Sequence, residues 1–245
     1  MPLNEKDFIL MEYTVKIKDT GKVIDTTDEK IAKEHGIYDE EKEYGPILVI
    51  IGEGRFVKGF EDALKESNVG EEKEVEIPPE KAFGTRDPSK IKTFSVRELR
   101  KKGVKKLEPG GVIEIGGIPG IVRSIGGGRA IIDFNHPLAG KTLIYRFKII
   151  KRIDNRIEKI KHLVKRRVRG VSLDEINVRE DDGKIIIELP EKVLLAEDIQ
   201  LAKRIIANEI PRYIDNVKEI IFIDKFYKAP EEESNEKERK TQSTQ

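Results

Sequence analysis

Every second position over residues 8–18 is apolar, and from Glu12 on the positions between are polar. Ile9, Met11, Tyr13, Val15 and Ile17 share one face, and Glu12, Thr14, Lys16 and Lys18 share the other. A period of two predicts a half-buried strand. Asp19-Thr20-Gly21-Lys22 predicts a turn, with Val23-Ile24-Asp25 opening the return strand. Residues 29–44 are acidic and weakly helical, and read as an exposed excursion. Residues 47–51 form an apolar strand that stops at Gly52, and residues 59–67 a short helix after a tight turn. Residues 72–77 alternate again, with Val75 and Ile77 inward.

Beyond Gly84 glycine becomes dense and the apolar runs shorten. Residues 95–102 predict a helix, with Ser95 as N-cap and Glu98 three residues on, a capping-box pattern. Ile113/Ile115, residues 121–125 and residues 130–134 predict three strands joined by Gly-rich turns. Leu143, Tyr145, Phe147 and Ile149 then mark a strong strand. A β-rich unit at 86–133 is therefore expected to interrupt a unit made of 1–85 plus 134–153. From residue 154 the pattern changes again. Ile157, Ile160, Val164 and Val168 lie on one helical face. Asp181-Asp182-Gly183 separates Ile176-Asn177-Val178 from residues 185–189 as a hairpin. Ile199, Ala202, Ile206 and Ile210 mark a second helix stopped by Pro211, and residues 219–226 a last strand. This predicts an αββαβ domain over 154–228, then a disordered tail over 229–245 that is almost free of apolar residues. The fold class is α+β.

Composition narrows the chemistry. The 245 residues are 37% hydrophobic and 38% charged with a net charge of +1, so no global field points to nucleic acid or membrane. The absence of cysteine excludes disulfides, thiolate metal sites and a thiol nucleophile. No apolar window reads as a signal peptide or a membrane span, so a soluble cytoplasmic protein is expected. Abundant Lys, Glu, Arg and Ile with no Cys point to a heat-adapted source. His35, His136 and His162 are scattered, and no metal or other cofactor is expected. The glycine-rich run 116–128 lacks a Gly-Lys-Ser/Thr and a following helix, so it reads as hairpin turns, not a phosphate loop. The basic run 159–169 reads either as a surface for ribosomal RNA or as the solvated face of a helix.

Three segments carry more. They are Gly52-Glu53-Gly54-Arg55-Phe56-Val57-Lys58-Gly59-Phe60, Ile77-Pro78-Pro79-Glu80-Lys81-Ala82-Phe83-Gly84, and Asn135-His136-Pro137-Leu138-Ala139-Gly140. In this order the chain resembles the FKBP family of peptidyl-prolyl cis-trans isomerases, and within it the SlyD-like branch, where a small domain is inserted into the flap over the active site. The resemblance implies a curved antiparallel sheet wrapped on the short helix, with no nucleophile and no acid–base pair. It implies Phe60 as pocket floor and Tyr13, Ile47, Phe56, Val57 and Tyr145 as walls. It further implies the Val57 N–H as donor to a substrate carbonyl and Asp25 as the one buried polar group. Phe83 stands where the family often has Tyr, and Ile24 where an aromatic is frequent. The insert is the implied chaperone element, with Ile113, Ile115, Ile118, Ile121, Ile125 and Ile131 as client-binding residues. The expected partners are unfolded or nascent polypeptides, a second copy through the C-terminal domain, and the ribosome. A holdase with a vestigial pocket stays open as the alternative.

Overall fold

A computed structural model describes residues 3–104 and 106–227; the expected tail over 229–245 lies outside them. The described residues divide into two units, one up to Ile153 and one from Asp154 on.

The first unit is built on β1 (Phe8–Ile17), whose core face carries Ile9, Met11, Tyr13 and Val15, all buried. On one side β1 pairs with β2 (Val23–Thr26) near its end and with β3 (Ile47–Ile50) near its start. On the other it pairs along its whole length with β9 (Leu143–Ile153), which in turn pairs with β4 (Glu72–Ile77). All these pairings are antiparallel. Two helices accompany the sheet, α1 (Glu29–Glu34) and α2 (Lys58–Lys65). Asp28 caps α1, its carboxylate accepting from the N–H groups of Lys30 and Ile31. Helix α2 buries Phe60 and Leu64 against the sheet. It sits so close to β4 that a Cβ on Gly59 would lie 2.6 Å from Ile77 Cγ2. A glycine there is a condition of the approach.

Between β4 and β9 lies the insert. Its four strands run in the order β5-β8-β7-β6, all antiparallel, with β5 at Ile91–Ser95, β6 at Val112–Ile115, β7 at Ile118–Gly126 and β8 at Arg129–Asp133. Helix α3 (Val96–Lys101) buries Leu99 on Ile113, Val122, Ala130 and Ile132. Strand β5 is absent from the sequence reading because Ile-Lys-Thr-Phe-Ser is too short to announce itself; its partner is β8, forty residues on. Ser95 does occupy the N-cap of α3, but its side chain makes no capping hydrogen bond.

The second unit begins with α4 (Arg156–Lys165), capped by the Asn155 side-chain oxygen Oδ1, which accepts from the Glu158 N–H. Strands β10 (Asn177–Asp181) and β11 (Lys184–Glu188) form an antiparallel hairpin. Asp182 and Gly183 have φ of 42° and 77°, the geometry that a two-residue hairpin loop requires. Strand β11 crosses over through α5 (Ile199–Tyr213) to pair in parallel with β12 (Glu219–Ile223). Pro211 does not stop α5. The helix runs two residues further, since Ile206, Ile210 and Ile214 anchor the last turn in the core and only one N–H donor is lost there. Strand β12 also ends three residues earlier than the alternation suggests.

Polar groups are built into this unit. Glu209 is buried and accepts from both Arg166 and Arg167, the Arg167 Nε lying 3.0 Å from Oε2. Burial opposes its charge, but the two guanidiniums hold its carboxyl below the ordinary range. Lys203, equally buried, sits 2.6 Å from both oxygens of Asp224.

Candidate functional site

Five aromatic residues of the first unit, Tyr13, Phe56, Phe60, Tyr145 and Phe147, converge on one face of the sheet. Phe60, from α2, lies at the centre. Its ring stacks on Tyr145 of β9 with centroids 4.1 Å apart and meets Phe56 and Phe147 edge-on at 5.2 and 5.0 Å. Tyr13 of β1 meets Phe56 edge-on at 5.4 Å and lies 6.4 Å from Tyr145. Offset and edge-to-face pairs of this kind add stability beyond their buried area.

The accessible part of the cluster differs from the expectation. Phe60 is not an open floor: it is wholly buried, covered by the Tyr145 ring. Tyr13 and Tyr145 are buried as well. The half-buried surface comes from Ile47 at the start of β3, Phe56 and Val57 at the entry to α2, and Phe83 beyond β4. The Phe83 ring stacks flat on His136, 4.3 Å away with 4° between planes. Val57 is the N-cap of α2, with φ −61° and ψ 145°. Its N–H finds no acceptor among the described residues, as the first amides of a helix commonly do not. The neighbouring Phe56 N–H is taken by Glu61 Oε1 at 3.2 Å.

Asp25 requires a correction. It is not a sealed polar group: its side chain keeps 44% of its exposure and Lys42 lies against it. Oδ2 accepts from the Tyr13 hydroxyl, and Oδ1 accepts from the Thr26 N–H at 2.9 Å and from Lys42 Nζ at 2.5 Å. Lys42 also donates to the Thr26 carbonyl at 2.9 Å. The physical reason is that β2 ends at Thr26 on the sheet edge, where the loop after α1 folds back with its lysine. Lys42 was missed in the sequence, since nothing in a charged loop marks which lysine will return to the site. The Tyr13 backbone is tied down by Thr27, whose hydroxyl accepts from its N–H at 2.9 Å and whose own N–H donates to its carbonyl at 2.9 Å. Burial, then the bond to Asp25, pushes the Tyr13 phenol well above its ordinary value. Burial pushes Tyr145 up to about 12.

The six isoleucines of the insert separate. Ile113 is core and Ile115 packs against that core, because strand alternation turns both toward α3. Ile113 is therefore too buried to meet a client, and Ile115 is half-buried. Ile118, 58% exposed, stands at the start of β7, and Ile125 near its end is partly exposed. On the sheet face turned away from α3, Ile131 is exposed and Ile121 half-buried, and Ile121 pairs with Val112, which is 72% exposed. Val112 joins this group; its neighbour Ile113 had drawn the attention in the sequence.

Other candidates carry less. A cleft of about 560 Å³ opens on the outward side of the first sheet, lined by Glu12, Glu72, Arg146 and Lys148. Asp28 and Glu29 add further carboxylates to this lining, and Arg146 Nε stands 2.6 Å from Glu72. No cluster of His, Asp and Glu that could hold a metal occurs among the described residues. No helix among them is long and apolar enough to cross a membrane. Within the basic run 159–169, Arg166 and Arg167 are spent on Glu209, and Lys161 donates to the Leu173 carbonyl at 3.2 Å.

Three family models match successive parts of the chain. A family model described as FKBP-type peptidyl-prolyl cis-trans isomerase matches residues 2–96, one described as the IF domain of FKBP26 matches 93–138, and one described as FKBP26 C-terminal matches 156–227. The short-type peptidyl-prolyl cis-trans isomerase of Methanocaldococcus jannaschii is 39% identical over 147 residues, covering 60% of this chain and 92% of that protein. The FKBP-type isomerase SlyD of Helicobacter pylori is 30% identical over 150 residues, covering 59% and 72%. The FKBP-type 16 kDa isomerase of Escherichia coli is 34% identical over 124 residues, covering 46% and 77%.

Proposed function

The chain belongs to the family of FKBP-type peptidyl-prolyl cis-trans isomerases, and on that premise we propose that it isomerises X-Pro bonds of unfolded polypeptides held by its insert. Rotation about such a bond breaks amide resonance against a barrier of about 20 kcal/mol. No covalent chemistry is needed to lower it, provided the twisted imide is bound better than the planar one. A water-poor apolar surface does this. It withdraws the solvent hydrogen bonds that favour the planar carbonyl, and it suits the less polar twisted state.

The observation that carries the reading is that half-buried Ile47, Phe56, Val57 and Phe83 pack on a buried layer of Tyr13, Phe60 and Tyr145, with the Val57 N–H left as a main-chain donor without an acceptor among the described residues. The rim would take the proline ring, and the Val57 N–H would take the carbonyl before or after it. Asp25 would keep the Tyr13 ring in place. Val112, Ile118, Ile121, Ile125 and Ile131 would hold the rest of the chain, which keeps several prolines near the rim at high effective concentration. The cover of Tyr145 over Phe60 favours one competing reading, a holdase whose pocket stays shut.

The full chain and its Val112→Ser, Ile118→Ser, Ile131→Ser triple variant separate these. On a short proline peptide both should accelerate isomerisation equally, within about twofold. On a protein whose refolding is limited by proline the triple variant should be slower by about tenfold. An inactive full chain on the peptide would leave the holdase. Equal losses on both substrates would remove the recruiting role of the insert.

We also propose self-association through the second unit. Ile186 and Ile221 pair side by side on the face of its sheet away from Ile185 and Ile187, with Ile223 beside them, and among the described strands β12 is paired on one side only.

A further inference from the structure

Two chain crossings join the insert to the body, residues 84–90 going out and 133–140 returning. They are fastened to each other at every level. The Gly140 N–H donates to the Gly84 carbonyl at 2.8 Å, and the Phe134 N–H to the Lys90 carbonyl at 3.0 Å. Between these, Asn135 takes the Asp87 main chain on both sides: its Oδ1 accepts from the Asp87 N–H at 2.8 Å and its Nδ2 donates to the Asp87 carbonyl at 2.9 Å.

Asp133 sits at the centre of this neck. Its side chain is 99% buried, with 1% of its surface exposed. Oδ2 accepts from Arg86 of the outgoing crossing at 2.5 Å and from Arg123 of β7 at 2.8 and 3.1 Å. Oδ1 accepts from the Asn135 N–H at 3.0 Å and from its Nδ2 at 2.7 Å. A carboxylate offers about four acceptor directions, so this one is saturated. Its donors come from three places: the outgoing crossing, the returning crossing and the insert sheet. Next along the returning crossing is His136, the residue stacked on Phe83 of the rim. The line from the insert sheet to the rim is therefore Arg123, Asp133, Asn135, His136, Phe83. A buried carboxylate with two guanidiniums and no role in the isomerisation chemistry needs another reason to be there. An apolar group of similar volume would satisfy the core alone.

We propose that Asp133 is a positioning residue: through Arg86, Arg123 and Asn135 it locks the two crossings into one strut that fixes the insert over the rim. This rests on the reading of the insert as the recruiting element for the reaction, and adds the part that sets its orientation. Without the lock the insert stays folded on its own sheet but swings, and a held polypeptide no longer presents its prolines to the rim.

The chain has no cysteine, so two introduced ones can be spin-labelled cleanly. Glu66→Cys on the body and Lys101→Cys on the insert are both exposed positions. The distance between labels would be measured by pulsed electron paramagnetic resonance in the full chain. Arg86→Met removes one partner of Asp133 without touching the insert core, and Arg86→Lys restores the charge. Expected is a narrow distribution in the parent, one about twofold or more broader in Arg86→Met and Asp133→Asn, and a return toward narrow in Arg86→Lys. Activity on the proline-limited refolding protein should fall about fivefold with broadening, in KM more than kcat, while peptide activity holds within about twofold. If Asp133→Asn unfolds the insert, Arg86→Met carries the test alone. Unchanged distributions in the folded variants overturn the proposal. So does a broadened distribution with undiminished refolding activity, provided the Val112, Ile118, Ile131 triple variant shows that the insert recruits; if that variant is also silent, it is the recruiting role that has failed.

Discussion

Val57 is the residue on which the proposed chemistry can be tested most cleanly. Its φ of −61° and ψ of 145° are those of proline, so Val57→Pro deletes the N–H without forcing the backbone. The loss of one hydrogen bond to a neutral carbonyl is worth about 1 kcal/mol, or roughly fivefold in kcat/KM on a proline peptide. A wild-type rate in a variant with native thermal stability would show that this donor is not used. The phenols give a second test. Tyr13 and Tyr145 are held neutral by burial, Tyr145 up to about 12. Their folded values lie above the ordinary value near 10, so they favour folding fully below about pH 10, and that contribution fades as pH rises toward the folded value. Thermal midpoints should thus be insensitive to these groups from about pH 6 to 9 and fall above about 10. A Tyr145→Phe variant should lose part of that alkaline decline, and an identical decline in it would assign the effect elsewhere.

At the scale of elements, two glycines hold the parts together and set opposing effects against each other. Gly59→Ala should gain helix propensity of about 1 kcal/mol in α2. The new Cβ, however, would stand 2.6 Å from Ile77 Cγ2 and 2.9 Å from Lys81 Cβ, and overpacking of this kind costs about 1–3 kcal/mol. Net destabilisation is expected, together with lower activity, since Phe60 is the next residue. Gly120→Ala meets Ile132 at 2.6 Å and the Phe134 ring at 2.9 Å and should weaken the insert by a similar amount. Denaturant unfolding reads both, and a neutral result at either position would mean that the neighbours give way easily. The same elements show what the sequence could tell. The period of two in β1, β4 and β9 was legible because one face of each strand meets the core and the other faces water. Strand β5 was not, because its strand character comes from β8. Pro211 misled because propensity is local, whereas the last turn of α5 is held by buried isoleucines. At the site, Phe56, Phe60 and Phe83 lie within the three motifs and Tyr13 and Tyr145 on alternating strands, so the aromatic residues could be named, but their burial could not be read. Which ring covers which depends on side-chain packing that no motif spells out. Lys42 on Asp25 and Arg86 on Asp133 were equally silent, being pairings across 17 and 47 positions.

For the whole molecule, the expectation is a dimer that depends on the second unit. Sedimentation at micromolar concentrations should find the full chain associated, a chain ending at Ile153 monomeric, and Ile221→Lys shifted toward monomer. Monomers throughout would exclude the idea. The order of the strands carries one more consequence. Strand β9 is the partner of both β1 and β4, and it follows the entire insert in the chain. During synthesis, the first eighty or so residues therefore leave the ribosome with β1 lacking its longest neighbour and β4 lacking its only one among the described strands. The insert, whose contacts are local, can close as soon as residue 133 is out, while the body waits for residue 153. A protein proposed to attend to unfinished chains thus passes through an unfinished stage of its own, with its smallest domain complete first.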